Sequence, residues 1–316
     1  MPQVRSLPRD RIDAIAASIL VVCCMLWGVQ QVAIKAAAGA GMPPLLQASL
    51  RSVVAAALVC GWTLLRGGRR ELFARDGSFW PGMGIAALFA VEFLFLYPGM
   101  QLTTASRGVV VLYTAPFWVA GGAHLLVPGE RLRTRQVVGF LAAFLGVGCA
   151  VADGLRHGGG SLIGDGMVAL AAAAWGLTTV AVKANRVLRT LSPGKLLLYQ
   201  LGGSAPILFA FAAWQGELTV ATTTPAAWAW LAYQTVVVAF ASYLIRFWLI
   251  THYPAGRLSA YTFLSPLFGI AAGALILNEH ASIELALALL FVAIGIRLVN
   301  GPPARPLPRL AVEGRS

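Results

Sequence analysis

The chain has 316 residues, of which 58% are hydrophobic and only 11% charged, and its mean hydropathy is +0.76. A soluble chain carries about 25% charged residues, so the composition excludes a water-facing globule and indicates a polytopic membrane protein. The net charge of +12 does not point to nucleic acid, because the basic residues lie in short loops between apolar runs and not on one soluble face.

Ten runs are long and apolar enough to cross a bilayer, which takes about 20 residues. In chain order they cover 13–35, 43–65, 79–101, 105–127, 135–153, 162–183, 195–214, 226–250, 255–277 and 282–300. The predicted fold is all-α, with ten transmembrane helices. The first run follows the basic segment MPQVRSLPRDR and so resembles a signal peptide. It is too long for a signal h-region, has no clear cleavage site and precedes nine more spans, so it reads as a retained helix. Cys23, Cys24, Cys60 and Cys149 all lie inside apolar runs without ligand spacing and imply no disulfide framework. No HExxH, Gly-rich phosphate loop or Cys/His cluster occurs, so neither cofactor nor metal is expected, and His124 and His280 read as interfacial.

Cytoplasmic loops accumulate Lys and Arg. With the N-terminus inside, nineteen of the 24 basic residues fall on inner segments. They are Arg5, Arg9 and Arg11; Arg66, Arg69, Arg70 and Arg75; Arg131, Arg133 and Arg135; Lys183, Arg186, Arg189 and Lys195; Arg257; and Arg297, Arg305, Arg309 and Arg315. The outer segments hold only Lys35, Arg107 and Arg156, and Arg51 and Arg246 fall within spans. Both termini are therefore expected in the cytoplasm.

The stretch WGVQQVAIK (Trp27–Lys35) returns 148 positions later as WGLTTVAVK (Trp175–Lys183). Arg107 and Pro116 are nine apart, as are Arg257 and Pro266; Glu130 precedes Gly146 by 16, as Glu279 precedes Gly295. The offset drifts only from 148 to 150. Two halves of five spans therefore align in order, and an odd number of spans inverts the second half in the membrane. The expected organisation is a first five-helix repeat (1–153), an outer connecting loop (154–160), an inverted second repeat (161–301) and a cytoplasmic tail (302–316). Inverted repeats are a common architecture of secondary transporters, with a site near the midplane that opens alternately to each side.

Two five-helix halves, Trp-Gly in the first helix of each, Arg51 in the second helix and the Pro…Glu…Gly order at each half's end together resemble the EamA family of the drug/metabolite transporter superfamily. The many aromatic residues in the spans look most like the YddG-type exporters of aromatic amino acids. The resemblance implies a ten-helix carrier of small metabolites in the bacterial inner membrane, usually working in the export direction.

Charges within spans are expensive and usually functional or paired. Arg51 and Glu92 both sit roughly 12–14 Å deep from the outer side. They read either as a structural ion pair between adjacent helices or, for Glu92, as a proton-coupling site or contact for a substrate amine. Arg246 lies close to the inner end of its span and reads as an anchor that snorkels to the headgroups. Lys35 and Lys183 mark helix ends. Trp27 shares a helix face with Gln31, and Trp175 with Thr179. Amides are costly toward lipid, so these faces should point into the bundle, either packing helix on helix or walling a central cavity. Pro116 and Pro266 are expected to kink equivalent helices and serve as hinges. Gly269 and Gly273 form a GxxxG close-packing motif. Candidate substrate-binding residues are Trp27, Gln31, Glu92, Tyr113, Trp175, Thr179, Tyr243 and Tyr261.

The expected partners are a small-molecule substrate and the lipid bilayer, without nucleic acid. One chain suffices to enclose a site, and a homodimer is compatible with the reading. An aromatic-lined cavity suits aromatic or large neutral amino acids, and also a drug-like aromatic cation. An intramembrane enzyme would need a catalytic cluster around Glu92, which the sequence lacks. A channel would need no matched halves.

Overall fold

A computed structural model of the chain describes residues 13–127, 132, 134–157, 161–220, 222–253, 258, 261–278 and 283–300. The expected cytoplasmic ends and the residues Glu130, Arg131, Arg133, Arg257, Glu279 and His280 lie outside the described residues. Those described are helical or in connecting turns, with no strand among them. The helices are α1 (Ala14–Gly39), α2 (Pro44–Leu65), α3 (Arg69–Leu72), α4 (Phe79–Leu102), α5 (Ala105–Leu112), α6 (Ala115–Leu126), α7 (Thr134–His157), α8 (Leu162–Ala184), α9 (Pro193–Trp214), α10 (Pro225–Ala232), α11 (Tyr243–His252), α12 (Ser265–Leu277) and α13 (Ile283–Asn300). A π-helical segment, Tyr233–Ser242, joins α10 to α11.

Helices are what an apolar environment allows, since each backbone group must find its partner within the chain. Among the described residues, seven stretches are long and apolar enough to cross a membrane: Ala14–Gly39, Pro44–Leu65, Phe79–Leu102, Ala105–Leu126, Leu162–Ala184, Pro193–Trp214 and Pro225–Leu249. The other three expected spans correspond to shorter apolar helical stretches, Thr134–Gly146, Ser265–Leu277 and Ala286–Gly295. Local sequence starts the helices. Asp13, Thr104, Ser161 and Ser192 accept from first-turn backbone N–H groups, and α2, α6, α9, α10 and α12 begin with a proline in the first turn.

That last observation corrects the expected kinks. Pro116 and Pro266 do not bend a continuous helix; each opens a new one. The turn Tyr113–Thr114 separates α5 from α6, and the 3-10 turn Thr262–Leu264 precedes α12. A first-turn proline sacrifices no helical hydrogen bond and restrains the residue before it, so the chain breaks ahead of the ring instead of bending at it. Among the described residues, the prolines within helix interiors are Pro98 and Pro206.

The most extensive packing joins residues from the two halves of the chain. α4 packs on α8 and α9, α2 on α9, α1 on α12, α6 on α8 and α7 on α13. We term the face where α1 begins proximal and that of the α1–α2 turn distal. On the distal face, Lys35 donates to the carbonyls of Met100 and Thr103 at the end of α4, where a cation suits the helix terminus. There too Arg107 pairs with Asp165, which also accepts from Thr103 Oγ1 at 2.7 Å. On the proximal face, Lys195 donates to Asp76 at 2.8 Å and to the carbonyl of Ala74. The Lys195 ammonium, aided by Ser78, holds the Asp76 carboxyl well below the usual carboxylate range.

Arg107 and Asp165 are both buried, and removing one member of such a pair leaves an unanswered charge. Asp165→Asn is expected to lower the stability of the detergent-purified protein by about 3 kcal/mol, read as a fall in thermal unfolding midpoint. Adding Arg107→Met should recover part of the loss; a double variant less stable than the single would show that the two are not coupled.

Candidate functional site

Each Trp-Gly pair couples a ring to a close approach. A Cβ on Gly28 would lie 2.5 Å from the Ser265 carbonyl oxygen and 2.7 Å from the Gly269 nitrogen, so α1 touches the start of α12 backbone to backbone. Gly176 meets the Trp118 Cβ and the Ala115 carbonyl oxygen, the latter at 3.0 Å, so α8 touches α6 in the same manner. The preceding tryptophans are thereby held at fixed depth. Gly269 carries a further contact, since its Cβ would lie 2.9 Å from Val109.

Trp27, Trp175 and Arg246 border two adjoining spaces of about 510 and 350 Å³. The larger is mostly apolar and runs toward the proximal side past Leu20, Pro116, Val119, Leu249 and Thr262. The smaller is lined by the polar side chains Gln30, Gln31, Glu92 and Arg246 as well as by Phe93, Tyr113 and Tyr243. α1, α4, α8 and α11 thus each contribute a wall, with α5 ending at the cavity and α6 beginning there.

The polar atoms are unevenly satisfied. Trp27 Nε1 donates to Ser242 Oγ at 2.8 Å, and that hydroxyl donates to the Val238 carbonyl at 2.7 Å. Arg246 donates to Thr179 Oγ1 at 3.0 Å and lies over the Trp175 ring, 5.2 Å from its centroid. Tyr113 meets Trp175 edge-on with centroids 5.5 Å apart. Glu92 Oε2 and Gln31 Oε1 are buried without a hydrogen-bond partner.

Seven of the eight candidate binding residues border these spaces: Trp27, Gln31, Glu92, Tyr113, Trp175, Thr179 and Tyr243. Tyr261 does not. It packs behind the cavity against Ala16, Leu20, Leu249, Tyr253 and Leu258, and its neighbour Thr262 takes the lining position. The expected Arg51–Glu92 ion pair is not formed either. Arg51 is spent elsewhere: Nε donates to the Gln234 carbonyl at 3.3 Å and Nη2 to the Tyr243 hydroxyl at 3.0 Å. Its guanidinium also lies 4.4 Å from the Phe93 ring centroid and 5.4 Å from that of Tyr243. Arg246 is not the expected headgroup anchor, because its bond to Thr179 turns it inward.

Sequence reasoning missed a second polar element. Tyr97 donates to Gln234 Oε1 at 2.7 Å, Gln234 Nε2 to Gln47 Oε1 at 3.2 Å, and Gln47 Nε2 to the Met42 carbonyl at 2.9 Å. This buried chain crosses from α4 through the π segment to α2. Its only sequence signal was the presence of two glutamines and a tyrosine within apolar runs.

The sequence matches the EamA-like transporter family over residues 14–152 and again over 162–301. The chain belongs to the EamA-like transporter family. It is 28% identical over 300 residues to the uncharacterized transporter YvbV of Bacillus subtilis (strain 168), covering 94% of each chain. It is 25% identical over 282 residues to a protein of Escherichia coli (strain K12) named a probable amino-acid metabolite efflux pump, covering 86% of this chain and 89% of that one. A solved crystal structure with 20% identity superposes with a TM-score of 0.68, covering 91% of this chain and 98% of the other, so the two share a fold. Family membership makes this a multi-pass membrane transporter rather than an enzyme.

In this EamA-like transporter the Trp-Gly motif is read as a packing joint. Gly28→Ala and Gly176→Ala should each force the contacting helices apart, at a cost of about 1–3 kcal/mol. Thermal melts in detergent check this, and unchanged midpoints for both variants would remove the joint.

Proposed function

We propose that the chain is a secondary carrier that exports small amphipathic metabolites, aromatic or large neutral amino acids above all, by alternating access to a cavity between two inverted five-helix repeats. The observation that carries the reading is the cavity itself, where tryptophans from matching positions of the two halves flank an unpartnered Glu92. Aromatic walls suit a flat apolar side chain, and a few buried polar groups orient its polar end. The E. coli relative's name, an amino-acid metabolite efflux pump, supports the substrate class, and the likeness to YddG-type exporters belongs to the same reading.

Several features support the inverted architecture with ten spans. The family match falls in two stretches of similar length. Major helix contacts also correspond under exchange of the halves: α1 on α12 corresponds to α8 on α6, and α4 on α8 to the π segment on α1. The breaks ahead of Pro116 and Pro266 fall at equivalent places and are the natural hinges. The proximal face carries Arg66, Arg69, Arg70, Arg75, Lys183, Arg186, Arg189 and Lys195, which favours a cytoplasmic proximal side and cytoplasmic termini in a bacterial inner membrane.

Counterflow by purified protein in liposomes tests the reading, over a panel of amino acids and aromatic cationic dyes, with and without a pH gradient. Saturable counterflow of aromatic amino acids is expected, and Trp175→Ala should raise the half-saturating concentration about tenfold, the loss of one aromatic contact. Flux without counterflow would indicate a channel; exchange of dyes alone would overturn the amino-acid assignment.

A further inference from the structure

The cavity holds an acidic and a basic side chain that form no ion pair among the described residues. Glu92, on α4, is 5% exposed and its Oε2 has no hydrogen-bond partner. Arg246 lines the same space, and neither it nor Arg51 forms an ion pair with Glu92. Arg51 is held away by Gln234 and Tyr243. Arg246, on α11, gives one N–H to Thr179 and stacks on Trp175, and no other hydrogen bond engages it among the described residues. A carboxylate and a guanidinium in a low-dielectric interior gain strongly from closing on each other. Here Thr179 and Trp175 tether the guanidinium instead, and both side chains line the same space.

The internal repeat supplies a second observation. Trp175 and Glu92 occupy the positions that correspond to Trp27 and Ser242 in the other half. Trp27 and Ser242 are bonded to each other at 2.8 Å, whereas Trp175 Nε1 and the Glu92 carboxylate make no hydrogen bond among the described residues. One corner of the cavity is closed and the matching corner is left open, with the unpartnered Gln31 Oε1 among the residues bordering the same space.

We propose that Arg246 and Glu92 form a zwitterion slot: the guanidinium holds a substrate's α-carboxylate, Glu92 holds its α-ammonium, and Trp175 with Tyr113 flanks its side chain. The proposal rests on the carrier reading above and narrows it to free α-amino acids with both ends ionised. A planar fork suits a carboxylate, which takes two parallel bonds. The slot also discriminates by what it leaves behind. An amine without a carboxylate strands Arg246, an acid without an amine strands Glu92, and an unanswered buried charge is a strong penalty.

Wild-type protein in liposomes of phosphatidylethanolamine and phosphatidylglycerol is assayed for counterflow of labelled phenylalanine against phenethylamine, 3-phenylpropionate and phenylalanine methyl ester. Each analogue should compete about 30-fold or more weakly than phenylalanine, the cost of stranding one member of a buried charge pair. Arg246→Gln should weaken phenylalanine about 30-fold and bring it level with phenethylamine; Glu92→Gln should bring it level with 3-phenylpropionate. The wild-type competition series does not depend on either variant folding. Equal competition by all four compounds, with saturable counterflow intact, overturns the slot and leaves the carrier standing. Absence of counterflow for every amino acid overturns both.

Discussion

A charge carried into this bundle has to be met by the chain itself, because neither lipid nor a packed interior solvates it. Arg107 is met by Asp165, Lys195 by Asp76 and the Ala74 carbonyl, and Lys35 by the carbonyls that end α4. Arg51, wholly buried, is met without any carboxylate contact, by a carbonyl, a hydroxyl and two aromatic faces. Each of these contacts ties a helix to a part of the chain distant in sequence, so satisfying the charges also positions the helices. Against that background the unmet carboxylate of Glu92 stands apart, and it lies where the walls leave space.

The walls are set by contacts one residue away. Gly28 and Gly176 bring their helices against the starts of α12 and α6, so the indoles of Trp27 and Trp175 are aimed by backbone contact and not by side-chain packing alone. The chain breaks just ahead of Pro116 and Pro266 fall beside these joints. Rigid joint and broken helix therefore adjoin at both places.

Much of this was legible from residue order. Low charge, apolar run length and the recurrence of WGVQQVAIK as WGLTTVAVK indicated an all-helical membrane transporter of this family, since those signals are local or additive. Trp27, Gln31 and Glu92 were readable as inward-facing because polar and aromatic groups at depth have few other places to go. Partners were not readable. Whether Arg51 meets Glu92 or Tyr243 depends on helix rotation, which a sequence at roughly equal depth leaves open. Arg246 was misjudged because distance from a helix end says nothing about which side the guanidinium takes. The prolines misled because a ring inside an apolar run marks a helix start as readily as a bend, and Tyr261 because it precedes a 3-10 turn that hands its place to Thr262.

The π segment, Tyr233–Ser242, carries a consequence of its own. Its hydrogen bonds close wider rings than those of an α-helix, so it takes more residues to complete a turn. Residue number and helix face come apart there. Gln234, Ser242 and Tyr243, which bond to Tyr97, Trp27 and Arg51, are brought round by a different phase from the one that a count of 3.6 would assign. Tolerance of substitution along this span should accordingly repeat at a longer interval between 233 and 242 than in the α-helical stretches on either side.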